Sequence, residues 1–184
     1  ICFTVLIGET NDGAFMRHDV IYDVMIHGDG IVGRLTAYHL MKLGLKVAIC
    51  TKKTQETTQT LQGQRLPQRV SAITHASLAI LPGINDESHL SHYTQMLIEP
   101  SSMLFKAEDV QKSSLGVIIE NDVLLSALKN DALPIFDVDD LVSLKKSKNV
   151  WAYDLKDHTV SAGLIIGADG ANSWLRSHCG FVLE

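Results

Sequence analysis

Cysteine is scarce. Cys2, Cys50 and Cys179 lie far apart, with no C-x-x-C spacing. That excludes a disulfide framework and a thiolate zinc site, and three reduced thiols suit a cytoplasmic protein. Basic charge is also short: 16 Lys and Arg stand against 21 Asp and Glu, a net charge of −5. A nucleic-acid surface normally needs a basic excess, so nucleic acid is not an expected partner. No apolar run reaches the roughly 18 residues of a transmembrane helix. The apolar start from Ile1 to Ile7 is too short for a signal-peptide core and has no basic flank before it. The chain opens without methionine, so its translational start is expected further upstream. Internal repeats, low-complexity tracts and a Ser-His-Asp triad are all missing.

What is present suits a globular domain. Of 184 residues, 46% are hydrophobic and 20% charged, enough for one sizeable core. Residues 1–21 are expected to be a lead-in, polar and glycine-containing from Gly8 to Val20. Organisation starts at Tyr22. Asp23-Val24-Met25-Ile26 is a short, mostly apolar run ending at Gly28, which predicts a buried parallel strand. From Ile31 to Leu43 apolar residues recur at three- and four-residue steps, as on a helix lying on a sheet. Gly44 stands where a C-cap glycine belongs. Leu45 to Cys50 predicts a second buried strand, completing a βαβ unit of about 30 residues.

The stretch 51–68 is rich in Thr and Gln, has little to bury, and is expected to be a mobile loop. Ala76 to Leu81 predicts a short helix stopped by Pro82-Gly83. Residues 93–107 predict a hairpin around Pro100-Ser101-Ser102. Asn121 is a candidate N-cap for a helix over 122–128. Strands are expected near 141–145, 149–154 and 159–166, with Asp157-His158 as the last turn. The expected fold is α/β: a Rossmann-like βαβ parallel sheet with a small inserted β-sheet. The strands ending near Ile26 and Ile166 should share that sheet.

Gly28-Asp29-Gly30-Ile31-Val32-Gly33 is G-x-G-x-x-G between a predicted strand and a predicted helix. Gly28 suits the tight turn, Gly30 the approach of a pyrophosphate, and Gly33 close packing of helix on strand. The helix N-terminus then offers free N–H groups and its positive dipole end to the phosphates. The same turn can also occur in an α/β protein that binds nothing. Two features depart from the fingerprint. An acid is expected about 20 residues on to hold the ribose, but Thr51 is there, and no acid occurs between Asp29 and Glu56. Asp29 also places a carboxylate in the phosphate turn, where it would repel pyrophosphate if it faced inward.

A second motif, Gly167-Ala168-Asp169-Gly170-Ala171-Asn172-Ser173-Trp174-Leu175-Arg176, follows the strand Leu164-Ile165-Ile166. By spacing it is a strand, a tight turn and a helix start capped by Asn172 or Ser173. This element resembles the flavin-dependent aromatic hydroxylases, most of all those of ubiquinone biosynthesis. Asp23 to Gly33 is similar to their FAD fingerprint, Arg69-Val70-Ser71-Ala72-Ile73 to their RVSAI segment, and Val117 to Asn121 to their IIEN segment. The resemblance runs from about Tyr22 to Gly180, so 22–184 is expected to be the FAD-binding domain of such an enzyme.

The resemblance implies FAD as cofactor and NAD(P)H as reductant. One oxygen atom of O2 would pass to the ring of a polyprenylated phenol or quinol. It implies that Gly28, Gly30 and Gly33 meet the pyrophosphate and that Thr51 takes the ribose position. Arg69 would lie beside the flavin nucleotide, Glu120 would contact the cofactor, and Asp169 and Gly170 would form the turn that helps bind FAD and NAD(P)H. No protein acid or base is implied as catalytic. The family's later Gly-Asp element is absent from this chain, so FAD is expected to be weakly held or missing. The implied partners are the polyprenylated substrate and other ubiquinone-pathway proteins, with a cytoplasmic location or a peripheral one at the inner face of the membrane. The alternative is a non-catalytic relative serving as a scaffold or assembly subunit.

The remaining candidates have plainer readings. His89 and His92 are expected to be solvated rather than metal ligands, with no further ligand pair nearby. His27 reads as a turn residue, and Trp151 and Trp174 as packing anchors. Lys145 to Lys148 reads as a solvated turn. Lys52-Lys53 could meet a 2′-phosphate, which would favour NADP.

Overall fold

The structure is a computed structural model that describes residues 4–7, 20–52, 60–61, 64–65, 69–84, 86–147 and 150–181. It divides into two compact units, residues 1–55 with 130–184, and residues 56–129. The first unit opens with β1 (Thr4–Ile7), β2 (Val20–His27), α1 (Ile31–Lys42) and β3 (Val47–Thr51). The second comprises β4 (Thr60–Leu61), β5 (Gln64–Arg65), β6 (Val70–Thr74), α2 (His75–Ala79), β7 (Ser91–Tyr93), β8 (Gln95–Ile98), β9 (Met103–Lys106), β10 (Gly116–Glu120) and α3 (Asn121–Ala127). The chain then returns to the first unit as β11 (Ile135–Asp137), β12 (Leu141–Ser147), β13 (Val150–Leu155), β14 (Thr159–Gly167) and α4 (Trp174–His178).

The first unit is built on one mixed sheet in the order β11-β3-β2-β14-β13-β12. Its centre is parallel: Ile26 pairs with Ile49 on one side and with Ile166 on the other. The strands ending near Ile26 and Ile166 thus share the expected sheet. Both faces of β2 are covered, which explains its continuous apolar run. Val24 and Ile26 pack with Val47, Ile49 and the buried Ala37 of α1. Met25 points the other way and packs with Ala48, Tyr153, Ile165 and Leu175.

Two strands of this sheet go beyond the sequence expectation. Thr4–Ile7, placed in the lead-in, pairs antiparallel with the second half of β14, Thr4 opposite Gly167 and Ile7 opposite Leu164. β13 covers the first half of that edge, Trp151 opposite Ala162 and Asp154 opposite Thr159. A β-rich tetrapeptide therefore fills an edge whose backbone groups would otherwise lack partners. β11 is too short to announce itself by periodicity, and it pairs parallel with β3.

In the second unit β6, β10 and β7 form the expected small antiparallel sheet. The hairpin over 93–107 is β8 with β9. Its Met96, Leu97, Ile98, Met103, Leu104 and Phe105 are exposed on both faces. Within 51–68, Thr60–Leu61 pairs with Gln64–Arg65; the rest of that predicted loop beyond Lys52 lies outside the described residues. Asn121 is not an N-cap. It is the first residue of α3, and its Oδ1 accepts from the Ser71 hydroxyl at 2.6 Å. Lys145 and Lys146 belong to β12 rather than a turn, with Lys145 3.1 Å from Asp154.

Removing the Ile165 side chain, fully buried at the sheet centre, should cost about 2–5 kcal/mol for Ile165→Ala. Val142→Ala, at a side chain 68% exposed, should stay within about 0.5 kcal/mol. Urea midpoints measure both, and equal losses would show that this sheet is not the core.

Candidate functional site

Three parallel strands end together. The Gly28 N–H donates to the Cys50 carbonyl at 2.9 Å, and the Ala168 N–H donates to the His27 carbonyl at 2.7 Å. These bonds place the glycine turn after β2, the end of β3 and the Asp169-Gly170 turn after β14 side by side. The carboxyl ends of parallel strands are where α/β sheets take ligands. Gly28 has φ of 107°, and a Cβ there would lie 2.3 Å from the Ala168 carbonyl oxygen. A Cβ on Gly33 would lie 2.0 Å from the Gly28 carbonyl oxygen. Both positions therefore demand glycine for steric reasons. Gly30 differs: it is the N-cap of α1, and a Cβ would meet nothing within 4 Å. As a glycine, Gly30 brings no side chain of its own to cap α1, the arrangement that lets a helix's first N–H groups meet an anion.

Asp29 does not threaten this surface as an unpaired charge. Arg34 Nη2 donates to Asp29 Oδ2 at 2.8 Å, and Nε lies 2.7 Å from Oδ1. The side chains are 20% and 23% exposed. The repulsion expected from sequence assumed a free carboxylate; a cation one helical turn into α1 neutralises it.

The second turn is stapled to its own helix. Asp169 Oδ1 accepts from the Ser173 hydroxyl at 2.6 Å and Oδ2 from the Leu175 N–H at 3.1 Å. Of the two candidate caps Ser173 is the one used, its hydroxyl accepting from the Arg176 N–H. Gly170 has φ of 83° and open space at its Cβ position.

His27 is a buried strand residue, not a turn residue. Its Nε2 is 3.0 Å from the Tyr153 hydroxyl. Its ring stacks between Tyr153 and Trp174, at 5.4 and 5.6 Å, and Trp174 stacks on His178. Trp174 is 42% exposed, so it covers this stack rather than anchoring the core. Burial drives the His27 pKa down to about 4, against the raising influence of Asp169 and with help from His178. Burial likewise holds the Cys50 thiol up at about 12, so it is neutral and inert.

Thr51 ends β3, half-buried, with Asp137 of β11 in register beside it. Asp137 Oδ1 accepts from the Asp139 N–H. Sequence reasoning missed this carboxylate beside Thr51 because it comes from another strand. Lys52 lies 3.7 Å from Asp139. Arg69 and Glu120 belong to the second unit, at one end of the β6–β10 pair, where the Asn121 N–H donates to the Arg69 carbonyl. Gly28, Gly30, Gly33, Thr51, Asp169 and Gly170 are thus gathered in one unit and Arg69 with Glu120 in the other. Among the described residues no group of three potential ligands could hold a metal ion.

The chain matches the FAD binding domain family over residues 21–184. It is 28% identical over 172 residues to the 3-demethoxyubiquinol 3-hydroxylase of Escherichia coli, covering 86% of this chain and 44% of that protein. It is 26% identical over 202 residues to the mitochondrial ubiquinone biosynthesis monooxygenase COQ6 of Danio rerio, covering 94% and 41%. The chain therefore spans less than half the length of these relatives. Among solved structures it is similar to the p-nitrophenol 4-monooxygenase PnpA of Pseudomonas putida, with a TM-score of 0.64, 15% identity, and 89% and 44% of the two chains covered. It is also similar to CabE, an aromatic hydroxylase from angucycline biosynthesis, with a TM-score of 0.66, 16% identity, and 88% and 33% covered.

The neutral His27 sets an expected acid sensitivity. An unfolded chain protonates this group near pH 6.5, whereas the folded imidazole resists until about 4. Its contribution is complete above pH 6.5 and is lost as pH falls towards 4, by up to about 3 kcal/mol. Urea midpoints at pH 7 and 4.5 should fall further in the parent chain than in His27→Phe. Parallel pH profiles for the two would show that His27 is not buried in the neutral form.

Proposed function

The chain belongs to the FAD binding domain family, and from that premise we propose that it is the cofactor-binding part of a flavin-dependent hydroxylase of ubiquinone biosynthesis. The substrate would be the ring of a polyprenylated phenol or quinol. The observation that carries the cofactor assignment is the open backbone at Gly30, beside two glycines that steric contact makes obligatory. The names of the E. coli and Danio rerio relatives support the pathway. Catalysis would be a property of the longer protein, with NAD(P)H as reductant. Other ubiquinone-pathway proteins would be its partners, at a membrane surface that holds the prenyl tail. Among the described residues no helix is long and apolar enough to cross a membrane.

The residues fit a dinucleotide. The N–H groups at the start of α1 would take the pyrophosphate over Gly30, with Gly28 and Gly33 keeping strand and helix close enough to present them. Thr51 would stand at the ribose with one hydroxyl, which can donate or accept but cannot grip a diol as a carboxylate does. Asp169 would hold the second turn through Ser173 and Leu175, leaving the open Gly170 to face the ligand. Arg69 would supply a cation near the flavin nucleotide, and Glu120 a further cofactor contact. Bound FAD would supply the redox chemistry, taking electrons from NAD(P)H and activating O2. The protein's part is to orient it and exclude water.

Two expected outcomes follow for the purified 184-residue chain. It should be colourless as isolated, because one strong ribose partner is missing and less than half of the relatives' length is present. FAD titration should still detect weak binding. Gly30→Ala should leave the melting temperature unchanged, since the Cβ has room, yet weaken FAD by about tenfold, a loss of about 1.4 kcal/mol. A folded chain that shows no FAD binding, or one indifferent to Gly30→Ala, would overturn this use of the glycine turn.

Thr51 is the observation that favours the scaffold alternative, and Thr51→Glu separates the two. A regained charged hydrogen bond is worth about 1.5–3 kcal/mol. With Asp137 in register beside it, the expected gain is at the lower end, about tenfold in FAD affinity. No gain would favour a decayed site.

A further inference from the structure

We propose that Arg34 is a positioning residue of the same site: by forking onto Asp29 it keeps that carboxylate away from the start of α1, so that a diphosphate can reach the backbone at Gly30. The proposal rests on the cofactor assignment above and adds a residue that the glycine fingerprint does not contain.

Three observations carry it. Asp29 immediately precedes the N-cap Gly30, which as a glycine brings no side chain to the first N–H groups of α1. A carboxylate one residue before the N-cap is favoured there by the positive end of the helix dipole. It is held by Arg34, whose Nη2 donates to Oδ2 at 2.8 Å and whose Nε lies 2.7 Å from Oδ1 while donating to the Asp29 carbonyl. Arg34 is well placed for this. Its N–H donates to the Gly30 carbonyl at 2.9 Å, which puts it one turn up from the N-cap, and helical side chains lean back towards the N-terminus.

The fork therefore does two things. It cancels a negative charge that would repel a diphosphate, and it stops an internal carboxylate from competing for the same N–H groups. An ordinary surface ion pair does neither and contributes little to stability. The Asp29–Arg34 pair is only 20% and 23% exposed, so it serves the fold as well, and its effect on ligand binding is read from the affinity of the folded chain.

The test is a double-mutant cycle on the whole 184-residue chain, titrated with FAD and with ADP. Arg34→Met frees Asp29 and should weaken both ligands by about tenfold or more. Asp29→Asn should bind at least as well as the parent. The double variant should return to within about threefold of the parent, an effect that a merely structural role for Arg34 would not produce. Melting temperatures without ligand should fall in Arg34→Met, which leaves the Asp29 carboxylate unpaired, and recover in the double variant. If Arg34→Met fails to fold, Arg34→Lys replaces it; that variant keeps the charge but loses the fork and should show a smaller loss, again relieved by Asp29→Asn. Unchanged affinity on loss of the fork, or a loss that Asp29→Asn does not relieve, would overturn the role of Arg34 and leave the cofactor assignment standing. A folded parent chain that binds neither FAD nor ADP would overturn both.

Discussion

Everything in the first unit depends on how closely its backbones approach at one point. The Gly28 carbonyl occupies the space where a Gly33 side chain would be, and the Ala168 carbonyl occupies the space of a Gly28 side chain. A sheet of parallel strands joined by helices normally keeps side chains between its layers. Here α1 and the turn after β14 approach the turn after β2 backbone to backbone at Gly33 and Gly28. That contact brings three strand ends into one surface and aims the start of α1 at it. Gly30 is left bare at the centre, and the second turn is tied in through the bond from Ala168 to His27.

Charge is arranged around that contact so that little of it is left free. Asp29 is forked by Arg34, and Asp169 is spent on Ser173 and Leu175. His27, which supports both turns from below, stays neutral because burial outweighs the attraction of Asp169. The positive element that the proposed site would turn towards an anion is the backbone itself, the N–H groups at the start of α1. Such fixed dipoles need no reorganisation when an anion arrives. Thr51 would be the weak point of the proposed site, since it brings no charge to it.

The small sheet of β6, β10 and β7 and the β8–β9 hairpin make the second unit a separate body in the chain, entered after β3 and left before β11. Six apolar side chains of the hairpin remain exposed, and a two-stranded ribbon alone is only marginally stable in water. The relatives are more than twice as long as the region they share with this chain.

The amino-acid sequence alone determined the parallel βαβ start, the strand returning at Leu164–Ile166, the hairpin around Pro100 and the two glycine turns. These rest on local physics: apolar runs where strands are covered on both faces, helical periodicity, and turns that only glycine can make. Membership of a flavin-binding family was legible for the same reason, because its two turns are written in consecutive residues. The tertiary structure decided what no local pattern encodes. β1 is a strand because β14 offers it a vacant edge. Asn121 bonds Ser71 across fifty positions rather than capping its helix. His27 is neutral because Tyr153 and Trp174 enclose it. Asp29 is harmless because α1 brings Arg34 back over it. In each case the partner comes from another element or another turn of chain, and only folding sets that distance.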